Sequence, residues 1–407
     1  MRKTRFGIVG TGRISDWVLK GAVMEPRFEA AAVCSRTEEK GKAFAQAHGI
    51  GKVYTDIEKM ASDHDIDAIY IGTPNSTHHD LAILCMDHGK HVLCEKPMAS
   101  NAKEVKEMAA AAKANGVLLM EAMISTLCPN FVAAREHLAE MGTVRHYFAS
   151  FCQYSSKYDL VKRIIAGEDA SPVPSSFNPD CCGGALMDIG IYPIYPMVSL
   201  FGRPKGIKAN VTTCEVPVAS GRFGTSTSSV TEAGTSTSSV TDTGTSTSSV
   251  TDTGTSTSSV TEADAEPVEA SGRKGWKRVD LQGSVIFEYE GMGASVIYSK
   301  VTDSRLCTEI SCDGGIISLD QIHICRHAEM TRRGAPTSGR SSGPGAVDIS
   351  VPVDADEYLC EFREFINVLE SGRIESSVNS LETSLITAEI LDEIHRQAGV
   401  VFPTDHK

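Results

Sequence analysis

Short runs of apolar and β-branched residues alternate with amphipathic stretches over about the first third of the chain. Two of these stretches, 77–88 and 103–115, have apolar residues at helical spacing and are followed by Gly89 and Gly116, which suit helix ends. Such alternation is typical of a parallel sheet with helices on both faces. We therefore predict a doubly wound α/β domain for residues 1–124. Its expected strands are 5–9, 29–34, 68–71, 91–94 and 117–120.

The pattern changes beyond residue 124, where shorter alternating runs follow a stretch with one apolar face. Runs of this kind favour antiparallel strands, and two later amphipathic stretches are expected to pack against their sheet as helices. We predict that residues 125–407 form a second, α+β domain. The apolar face is at 131–141, the expected strands are 144–151, 284–289 and 294–299, and the expected helices are 357–369 and 381–395.

A low-complexity repeat interrupts this second domain. A ten-residue unit that begins at Gly224 recurs three times with small changes, and it has one valine in each copy. The tetrapeptide Ala-Ser-Gly-Arg stands both before it, at 219–222, and after it, at 270–273. One valine per unit cannot build the core of a solenoid. We predict a flexible insertion in a surface loop at about 218–273, without a role in the chemistry.

Composition excludes several classes of function. The net charge of -13 comes without a basic run, so we expect no nucleic-acid partner. By inspection no apolar stretch reaches the roughly 20 residues that span a bilayer, so we expect neither a membrane protein nor a secreted one. The 12 cysteines lie mostly in apolar segments, which favours reduced thiols in a cytoplasmic protein, and no metal site is predicted. We interpret the adjacent Cys181 and Cys182 as structural, a redox pair being the alternative.

A glycine-rich turn, Gly10-Thr11-Gly12-Arg13-Ile14-Ser15, follows the first expected strand and opens a helical stretch. Gly10 permits a tight turn, and Gly12 lets backbone amides approach a pyrophosphate at the helix N-terminus. Glycines also occur in strand-to-helix turns that bind nothing, so the motif takes its meaning from this context. We predict that the turn binds a dinucleotide cofactor.

The end of the second expected strand bears on the choice between NAD and NADP. An acidic residue there would hold the free ribose hydroxyl of NAD, but the chain has Cys34-Ser35-Arg36-Thr37. A hydroxyl and a guanidinium suit the 2′-phosphate of NADP, because arginine binds phosphate through two parallel hydrogen bonds. We predict a preference for NADP, with NAD use left open and an ordinary surface role for Arg36 as the alternative.

Two polar segments follow neighbouring expected strands. Thr73-Pro74-Asn75-Ser76-Thr77-His78-His79 comes after the strand at 68–71, and Glu95-Lys96-Pro97 ends the strand at 91–94. Both lie at the carboxyl edge, where doubly wound sheets bind ligands. A proline constrains Lys96 beside this crevice, so we interpret Lys96 as functional and not as a solvated surface charge.

The Glu95-Lys96-Pro97 triplet resembles a mark of the glucose-fructose oxidoreductase, inositol dehydrogenase and MocA family, commonly written Gfo/Idh/MocA. Similar segments are Met120-Glu121-Ala122-Met123, Phe177-Asn178-Pro179 and the run from Gly183 to Pro193. With Tyr192 where other branches have histidine, this run resembles the branch of dihydrodiol dehydrogenases, NADP-dependent xylose dehydrogenases and glucose-fructose oxidoreductase. The resemblance covers nearly the whole chain outside the repeat.

The resemblance implies a Rossmann domain, a C-terminal domain with an open, mainly antiparallel sheet, and a homodimer or higher homo-oligomer. Two departures are present. Ser15 replaces the small residue usual in the glycine motif, which puts cofactor affinity in question. Cys181 and Cys182 stand where the branch has other residues before its glycines, which bears on the shape of the substrate pocket.

Hydride transfer, the chemistry that the resemblance implies, needs a proton acceptor for the hydroxyl and a positive group for the developing oxyanion. We assign these roles to Tyr192 and Lys96. An ammonium beside the phenol is expected to lower a tyrosine pKa that otherwise lies near 10. Asp188 stands one turn before Tyr192 if residues 186–195 are helical. There it would orient Lys96 or a substrate hydroxyl, a helix cap or surface charge being the alternative.

By the same resemblance, Asn75 and His78 are assigned to the nicotinamide side of the cofactor, with loop caps as the alternative, and Glu95 to its ribose. The candidate catalytic residues are Lys96, Tyr192 and Asp188. The candidate cofactor-binding residues are Gly10, Thr11, Gly12, Arg13, Ile14, Ser35, Arg36, Thr73, Pro74, Asn75, His78, Glu95 and Lys96.

The predicted function is an NADP-preferring oxidoreductase that acts on a sugar, polyol or dihydrodiol. A non-catalytic sensor of the same fold is the alternative, but it would need neither Tyr192 as proton acceptor nor Lys96 as its cation. A carbohydrate-binding module without a nucleotide is disfavoured by Gly10, Gly12 and the strand pattern. The sequence leaves the substrate open, because loops of the second domain shape its pocket.

Overall fold

The computed structural model describes residues 2–218, 275–335, 345–353 and 356–406. The predicted insertion at 218–273 falls almost wholly outside these ranges. The described residues form a parallel sheet and a second, mostly antiparallel sheet, with helices against both. The predicted α/β class is therefore confirmed.

The first sheet has six parallel strands that consist largely of buried residues, as expected for a sheet covered by helices. Its strands are β1 (Thr4–Val9), β2 (Phe28–Cys34), β3 (Lys52–Tyr54), β4 (Ala68–Ile71), β5 (His91–Glu95) and β6 (Leu119–Ala122). Their spatial order is β3-β2-β1-β4-β5-β6, so the direction of winding reverses between β1 and β4. Ligands bind beyond the carboxyl ends of the strands at such a reversal. All five predicted strands are present with ends shifted by up to two residues, and β3 was not predicted.

Helices connect these strands, and local signals set their ends. The side chain of Asn101 accepts a hydrogen bond from the backbone N–H of Glu104 at the start of the fifth helix, and Gly116 ends that helix in the left-handed conformation. The helices are α1 (Arg13–Ala22), α2 (Glu38–His48), α3 (Ile57–Ala61), α4 (His78–Asp87) and α5 (Ala102–Asn115).

In the described ranges the second sheet has eight strands, and its residues alternate between buried and exposed positions. Its strands are β7 (Val144–Cys152), β8 (Gly206–Pro217), β9 (Trp276–Glu288), β10 (Gly293–Ser299), β11 (Thr308–Cys312), β12 (Gly315–Leu319), β13 (Ala328–Arg332) and β14 (Ala346–Asp348). The order is β14-β13-β12-β11-β7-β10-β9-β8, in which β7 and β10 are parallel and the other neighbours antiparallel. The predicted mainly antiparallel sheet is confirmed.

The structure describes five further helices beyond residue 124, and one of them corrects a prediction. They are α6 (Pro129–His137), α7 (Tyr158–Ala166), α8 (Ile191–Phe201), α9 (Leu359–Glu370) and α10 (Leu381–Ala398). Helix α9 was expected on the second sheet, but Phe362 and Phe365 pack on Phe6 of β1. The aromatic face of α9 thus covers the first sheet. The described residues of both sheets belong to one compact unit.

One helical segment contradicts the expectation about apolar length. Pro179–Phe201 has 23 residues, and an 18-residue window within it has a mean hydropathy of 1.3, enough by length and composition to cross a membrane. In the structure 72% of its apolar window is buried inside the protein. Gly190 permits this burial because it has no side chain: a Cβ there would lie 3.1 Å from the Tyr298 ring of β10. The segment is a core helix that packs against the second sheet.

Candidate active site and cofactor crevice

The glycine turn lies between β1 and α1 with its backbone open. Gly10 has a φ of 101°, and a Cβ at this position would collide with the carbonyl oxygen of Gly72. A Cβ on Gly12 would have nothing within 4 Å. No side chain caps the first N–H groups of α1. This open helix N-terminus fits a pyrophosphate, with Thr11, Arg13 and Ile14 beside it.

Ser15, the unusual residue of the motif, is fully buried where α1 crosses the end of β4. It faces Gly72, and a Cβ on Gly72 would lie 2.8 Å from the Ser15 Oγ. The missing side chain of Gly72 therefore makes room for the serine. Among the described residues, the Ser15 hydroxyl has no hydrogen-bond partner.

The end of β2 brings Ser35 to the glycine turn. Ser35 is buried, its Oγ lies 3.3 Å from the Oγ1 of Thr11, and its backbone N–H donates to the carbonyl of Tyr54. Arg36, the next residue, is exposed and forms no ion pair within the described ranges. Burial is the main effect that raises the pKa of the Cys181 thiol to about 11, and the positive charge of Arg36 opposes it. Arg36 is thus available at the mouth of the crevice.

The polar segment after β4 contacts the segment that precedes α8. The Asn75 side-chain amide donates to the carbonyl of Cys182 at 2.9 Å, and the hydroxyls of Thr73 and Thr77 lie 2.7 Å apart. Cys182 is buried and adopts a φ of 53°, in the left-handed region. Pro74 is exposed in the turn between these residues.

His78 lies beneath the crevice. It is fully buried, and its ring nitrogens each lie 2.9 Å from a backbone carbonyl oxygen, those of Pro97 and Thr73. Burial lowers its pKa, and the hydrogen bonds to the two carbonyls oppose this effect. In this structure the ring ties the two polar segments together, and no ring nitrogen remains for a cofactor. The assignment of His78 to the nicotinamide stays a prediction.

Glu95 is buried at the end of β5, where its carboxylate accepts a hydrogen bond from the Tyr70 hydroxyl at 2.7 Å. Burial raises the pKa of Glu95, an effect that Lys96 opposes. Glu361 of α9 is also buried, and burial together with the charge of Glu95 raises its pKa well above the usual value. Two buried acidic side chains thus interact electrostatically with Lys96.

Lys96, Asp188 and Tyr192 come together although Lys96 and Asp188 are 92 residues apart along the chain. The Lys96 Nζ donates to the backbone carbonyl of Asp188 at 2.7 Å, lies 3.7 Å from its Oδ1, and sits 4.6 Å from the centre of the Tyr192 ring. The helix expected at 186–195 is present, with a π-helical turn at Leu186–Gly190 before α8. Pro193 has no N–H to give to the Asp188 carbonyl in this wider spacing, and the carbonyl accepts from Lys96.

The expectation that Lys96 lowers the pKa of Tyr192 is wrong for this structure. Burial raises that pKa well above 10, and Glu95 and Asp188 raise it further. Lys96 lies over the ring face, where the contact is a cation–π interaction. The phenol is therefore protonated at neutral pH.

Lys300 is a residue of this site that the sequence did not reveal. It follows β10, is 2% exposed, and its Nζ lies 2.6 Å from the Oδ2 of Asp188. Burial acts to raise the pKa of Asp188, but the charges of Lys300 and Lys96 outweigh it and the pKa is lowered. Asp188 is therefore a carboxylate between two ammonium groups.

An aromatic wall adjoins Tyr192, also without a sequence signal. The rings of Phe151 and His323 stack 4.0 Å apart at 7°, and both meet the Tyr192 ring edge to face, at 5.5 and 6.0 Å. Burial lowers the pKa of His323 to about 4, so its ring is neutral at physiological pH. The wall provides a flat face and a neutral hydrogen-bonding group.

Comparison with known proteins identifies the family that the chain resembles. Residues 4–123 match the model of the GFO_IDH_MocA family, described as an oxidoreductase family with an NAD-binding Rossmann fold. The scyllo-inositol 2-dehydrogenase (NADP(+)) IolU of Bacillus subtilis (strain 168) is 36% identical over 401 residues, 98% of this chain and 99% of that protein.

A second relative and a solved structure agree with this match. Trans-1,2-dihydrobenzene-1,2-diol dehydrogenase of Xenopus laevis is 36% identical over 212 residues, 51% of this chain and 60% of that protein. The crystal structure of aldose-aldose oxidoreductase from Caulobacter crescentus complexed with glycerol has the same fold, with a TM-score of 0.69 at 20% identity and 98% of each chain covered. The likeness to the Bacillus protein extends over nearly the whole sequence, and this chain belongs to the Gfo/Idh/MocA family of oxidoreductases.

Proposed function

We propose that the chain is an NADP-preferring dehydrogenase or reductase, in which Lys96, Tyr192 and Asp188 act on a hydroxyl or carbonyl of a cyclic polyol or sugar. One observation carries the proposal. The Lys96 ammonium lies between the Tyr192 ring and Asp188, at the carboxyl edge of the sheet that also presents the open glycine turn. A cation and a proton-bearing phenol at this edge are what hydride transfer to or from a carbonyl carbon needs beside its cofactor.

NADP, when bound, supplies the carbon that gives or takes the hydride. The open backbone from Gly10 to Ile14 suits its pyrophosphate, and the Ser35 hydroxyl with the exposed Arg36 suits its 2′-phosphate. We assign Thr73, Pro74 and Asn75 to the nicotinamide side because they line the loop that reaches Cys182.

The protein's own groups have separate tasks in this proposal. Tyr192 gives its proton to the substrate oxygen during reduction and takes it back during oxidation. Lys96 stabilises the negative charge on that oxygen, and Asp188 holds Lys96 in place through its carbonyl and carboxylate. His78 positions Thr73 and Pro97 through its two ring nitrogens. Glu95 is assigned to the cofactor ribose, although in this structure it holds Tyr70.

The substrate class is proposed from the relatives and from the aromatic wall. The names of both relatives specify a ring that carries hydroxyl groups, an inositol and a dihydrobenzenediol. The stacked Phe151 and His323 offer such a ring a flat surface beside Tyr192. The neutral His323 ring is suited to hydrogen-bond a second hydroxyl.

A turnover screen tests the proposal. Inositols, aldoses and dihydrodiols are offered with NADP and NAD, and the corresponding ketones with NADPH and NADH, to the parent and to Lys96→Met. We expect turnover of a cyclic polyol or sugar by the parent and a loss of about a hundredfold or more in the variant, with NADPH still bound. Tight NADPH binding without turnover of any compound would favour the sensor. Equal turnover by parent and variant on a verified substrate would remove Lys96 from the mechanism.

Three broader assignments complete the proposal. We place a domain boundary near residue 124, and we expect a cytoplasmic protein without nucleic-acid or membrane partners. We also expect a homodimer or higher oligomer formed through the second sheet, where Ile286, Ile316 and Val347 are exposed large apolar side chains on three strands. Light scattering of the parent and of Ile286→Glu measures the oligomeric state, and a monomeric parent would contradict the last assignment.

A further inference from the structure

Lys300 and Lys96 contact different oxygens of Asp188. We propose that Lys300 is a positioning residue that keeps the Asp188 carboxylate charged and fixed, and through it holds Lys96 at the substrate oxygen. The proposal rests on the proposed function of Lys96, Asp188 and Tyr192. It adds a fourth member to that group.

The surroundings of Lys300 fix its ammonium in one place. The residue is 2% exposed, and its Nζ donates to the Asp188 Oδ2 at 2.6 Å and to the backbone carbonyl of Ser176 at 2.8 Å. The same nitrogen lies 4.1 Å from the centre of the Phe177 ring. Removing an ammonium from water is costly unless such partners replace it. The arrangement thus gives the buried charge a carboxylate, a carbonyl and a ring face.

The carboxylate oxygens of Asp188 face different lysines. Its Oδ2 accepts from Lys300, its Oδ1 lies 3.7 Å from the Lys96 Nζ, and its backbone carbonyl accepts from Lys96. A carboxylate held at one oxygen cannot rotate freely, so the position of Oδ1 depends on Lys300. A displacement of about 1 Å at a reacting centre is enough to cost about a hundredfold in rate.

The charges that face this group come from several elements. Lys96 at the end of β5 and Lys300 after β10 lower the pKa of Asp188 against the effect of burial. Burial lowers the pKa of Lys300, while Asp188 and then Asp280 of β9 raise it and Lys96 lowers it. Tyr192, on the same helical segment as Asp188, is neutral at physiological pH. Loss of the Lys300 charge should therefore raise the pKa of Asp188.

A purely structural role is the competing explanation. In that case Lys300 would only hold the segment at Ser176 and Phe177, and its loss would lower stability without changing the titration of Asp188. Two variants separate the roles. Both variants remove the charge: Lys300→Met keeps the apolar stem, whereas Lys300→Gln keeps a hydrogen-bond donor on a slightly shorter side chain.

The experiment follows the aspartate carboxyl carbons of the full-length protein by ¹³C NMR as the pH is varied, with Asp188→Asn identifying the Asp188 signal. We expect Asp188 to titrate about one pH unit or more higher in both Lys300 variants than in the parent.

On a substrate found by the screen, kcat of Lys300→Met should fall about tenfold to a hundredfold. The KM for NADPH should stay within about twofold, since no cofactor-binding residue is changed. The acid limb of the kcat profile should move up with the Asp188 titration, and Lys300→Gln should keep more of kcat than Lys300→Met.

Lys90→Met is the matched control. Lys90 is also a buried lysine, 7% exposed, and its Nζ donates to the backbone carbonyls of Asp63 and Ile66 at 2.7 and 2.8 Å. It precedes β5, at the opposite edge of the first sheet from the crevice. This variant should lose stability but leave the Asp188 titration and the acid limb unchanged.

Two results would overturn the proposal. One is an Asp188 titration and an acid limb that coincide with those of the parent in both Lys300 variants. The other is an equal loss of kcat in Lys90→Met. Failure of the proposed function is seen separately, as full turnover by Lys96→Met, and the NMR titration does not depend on turnover.

Discussion

The Lys96 Nζ lies over the face of the Tyr192 ring, 4.6 Å from its centre. Burial outweighs this charge, so the pKa of Tyr192 lies well above 10 and the hydroxyl keeps its proton at neutral pH. Oxidation of an alcohol, which needs the deprotonated phenol, should therefore accelerate as the pH rises from about 7 to 10. Reduction, which uses the protonated phenol, should be flat over that interval. Initial rates in both directions across this range test the prediction.

Tyr192→Phe is the matched variant, because it removes only the hydroxyl. We expect it to retain the fold and NADPH affinity, to lose about a hundredfold or more in turnover, and to lose the alkaline rise in oxidation. A rise of the same slope in the variant would transfer the proton role to another group.

Ser15 tests the packing at the glycine turn. Its hydroxyl is buried without a hydrogen-bond partner among the described residues, so Ser15→Ala should raise the free energy of unfolding by about 1 kcal/mol. Ser125 is equally buried, but its Oγ donates to the carbonyl of His323 at 3.1 Å. Ser125→Ala should therefore lower the free energy of unfolding by about 1 kcal/mol. Urea unfolding of both variants measures the difference.

Equal destabilisation by the two serine variants would show that Ser15 has a partner, and the packing argument would fail. The departure of Ser15 from the motif also raised a question about cofactor affinity. Because Gly72 makes room for the hydroxyl, we expect Ser15→Ala to bind NADPH as tightly as the parent.

The parts of the fold that depend on local sequence signals could be predicted from the sequence. The glycine turn, the Lys96 segment and the helix with Asp188 and Tyr192 lie as expected because turn residues and spacing define them. β3 was missed because a strand of three residues offers too short a pattern. The sheet on which α9 packs was misjudged, since spacing shows that a helix has an apolar face but not what covers it.

Contacts between distant segments account for the rest of the site. Lys300 lies 112 residues from Asp188 along the chain and has no motif around it, so only the fold brings the two together. His323 likewise reaches Tyr192 from a connection in the second sheet. The direction of the Tyr192 pKa was misjudged because proximity to Lys96 could be inferred from the sequence but burial could not.

The described ends of the predicted insertion are adjacent. Pro217 pairs with Trp276 across β8 and β9, and the backbone N–H of Val218 donates to the carbonyl of Gly275 at 2.8 Å. Replacing residues 219–274 by Asn-Gly, a favoured two-residue turn, should therefore keep the hairpin. We expect an unfolding midpoint within about 2 °C of the parent and the same NADPH affinity. Aggregation, or a clear loss of thermal stability, would show that the replaced residues are structural.

Arg36 should decide between the two nicotinamide cofactors. It is exposed beside Ser35 and forms no ion pair in the described part of the chain, so its guanidinium is available to a 2′-phosphate. Arg36→Ala should weaken NADPH about tenfold to a hundredfold, the value of a charge-assisted hydrogen bond, and leave NADH nearly unchanged. Good NADH binding should not appear, because the segment from Cys34 to Thr37 has no carboxylate for the free ribose.

Fluorescence titration of both cofactors measures the effect of Arg36→Ala. Arg145→Ala is the control, because Arg145 is an exposed arginine of the second sheet whose Nε lies 2.8 Å from Asp313, away from the glycine turn. It should change neither affinity, so a general effect of removing surface charge would be seen there. If the parent binds NADH as tightly as NADPH, or if Arg36→Ala weakens both equally, Arg36 does not bind the 2′-phosphate. The preference for NADP would then need another cation, because a phosphate dianion at a partly enclosed site requires a nearby positive charge.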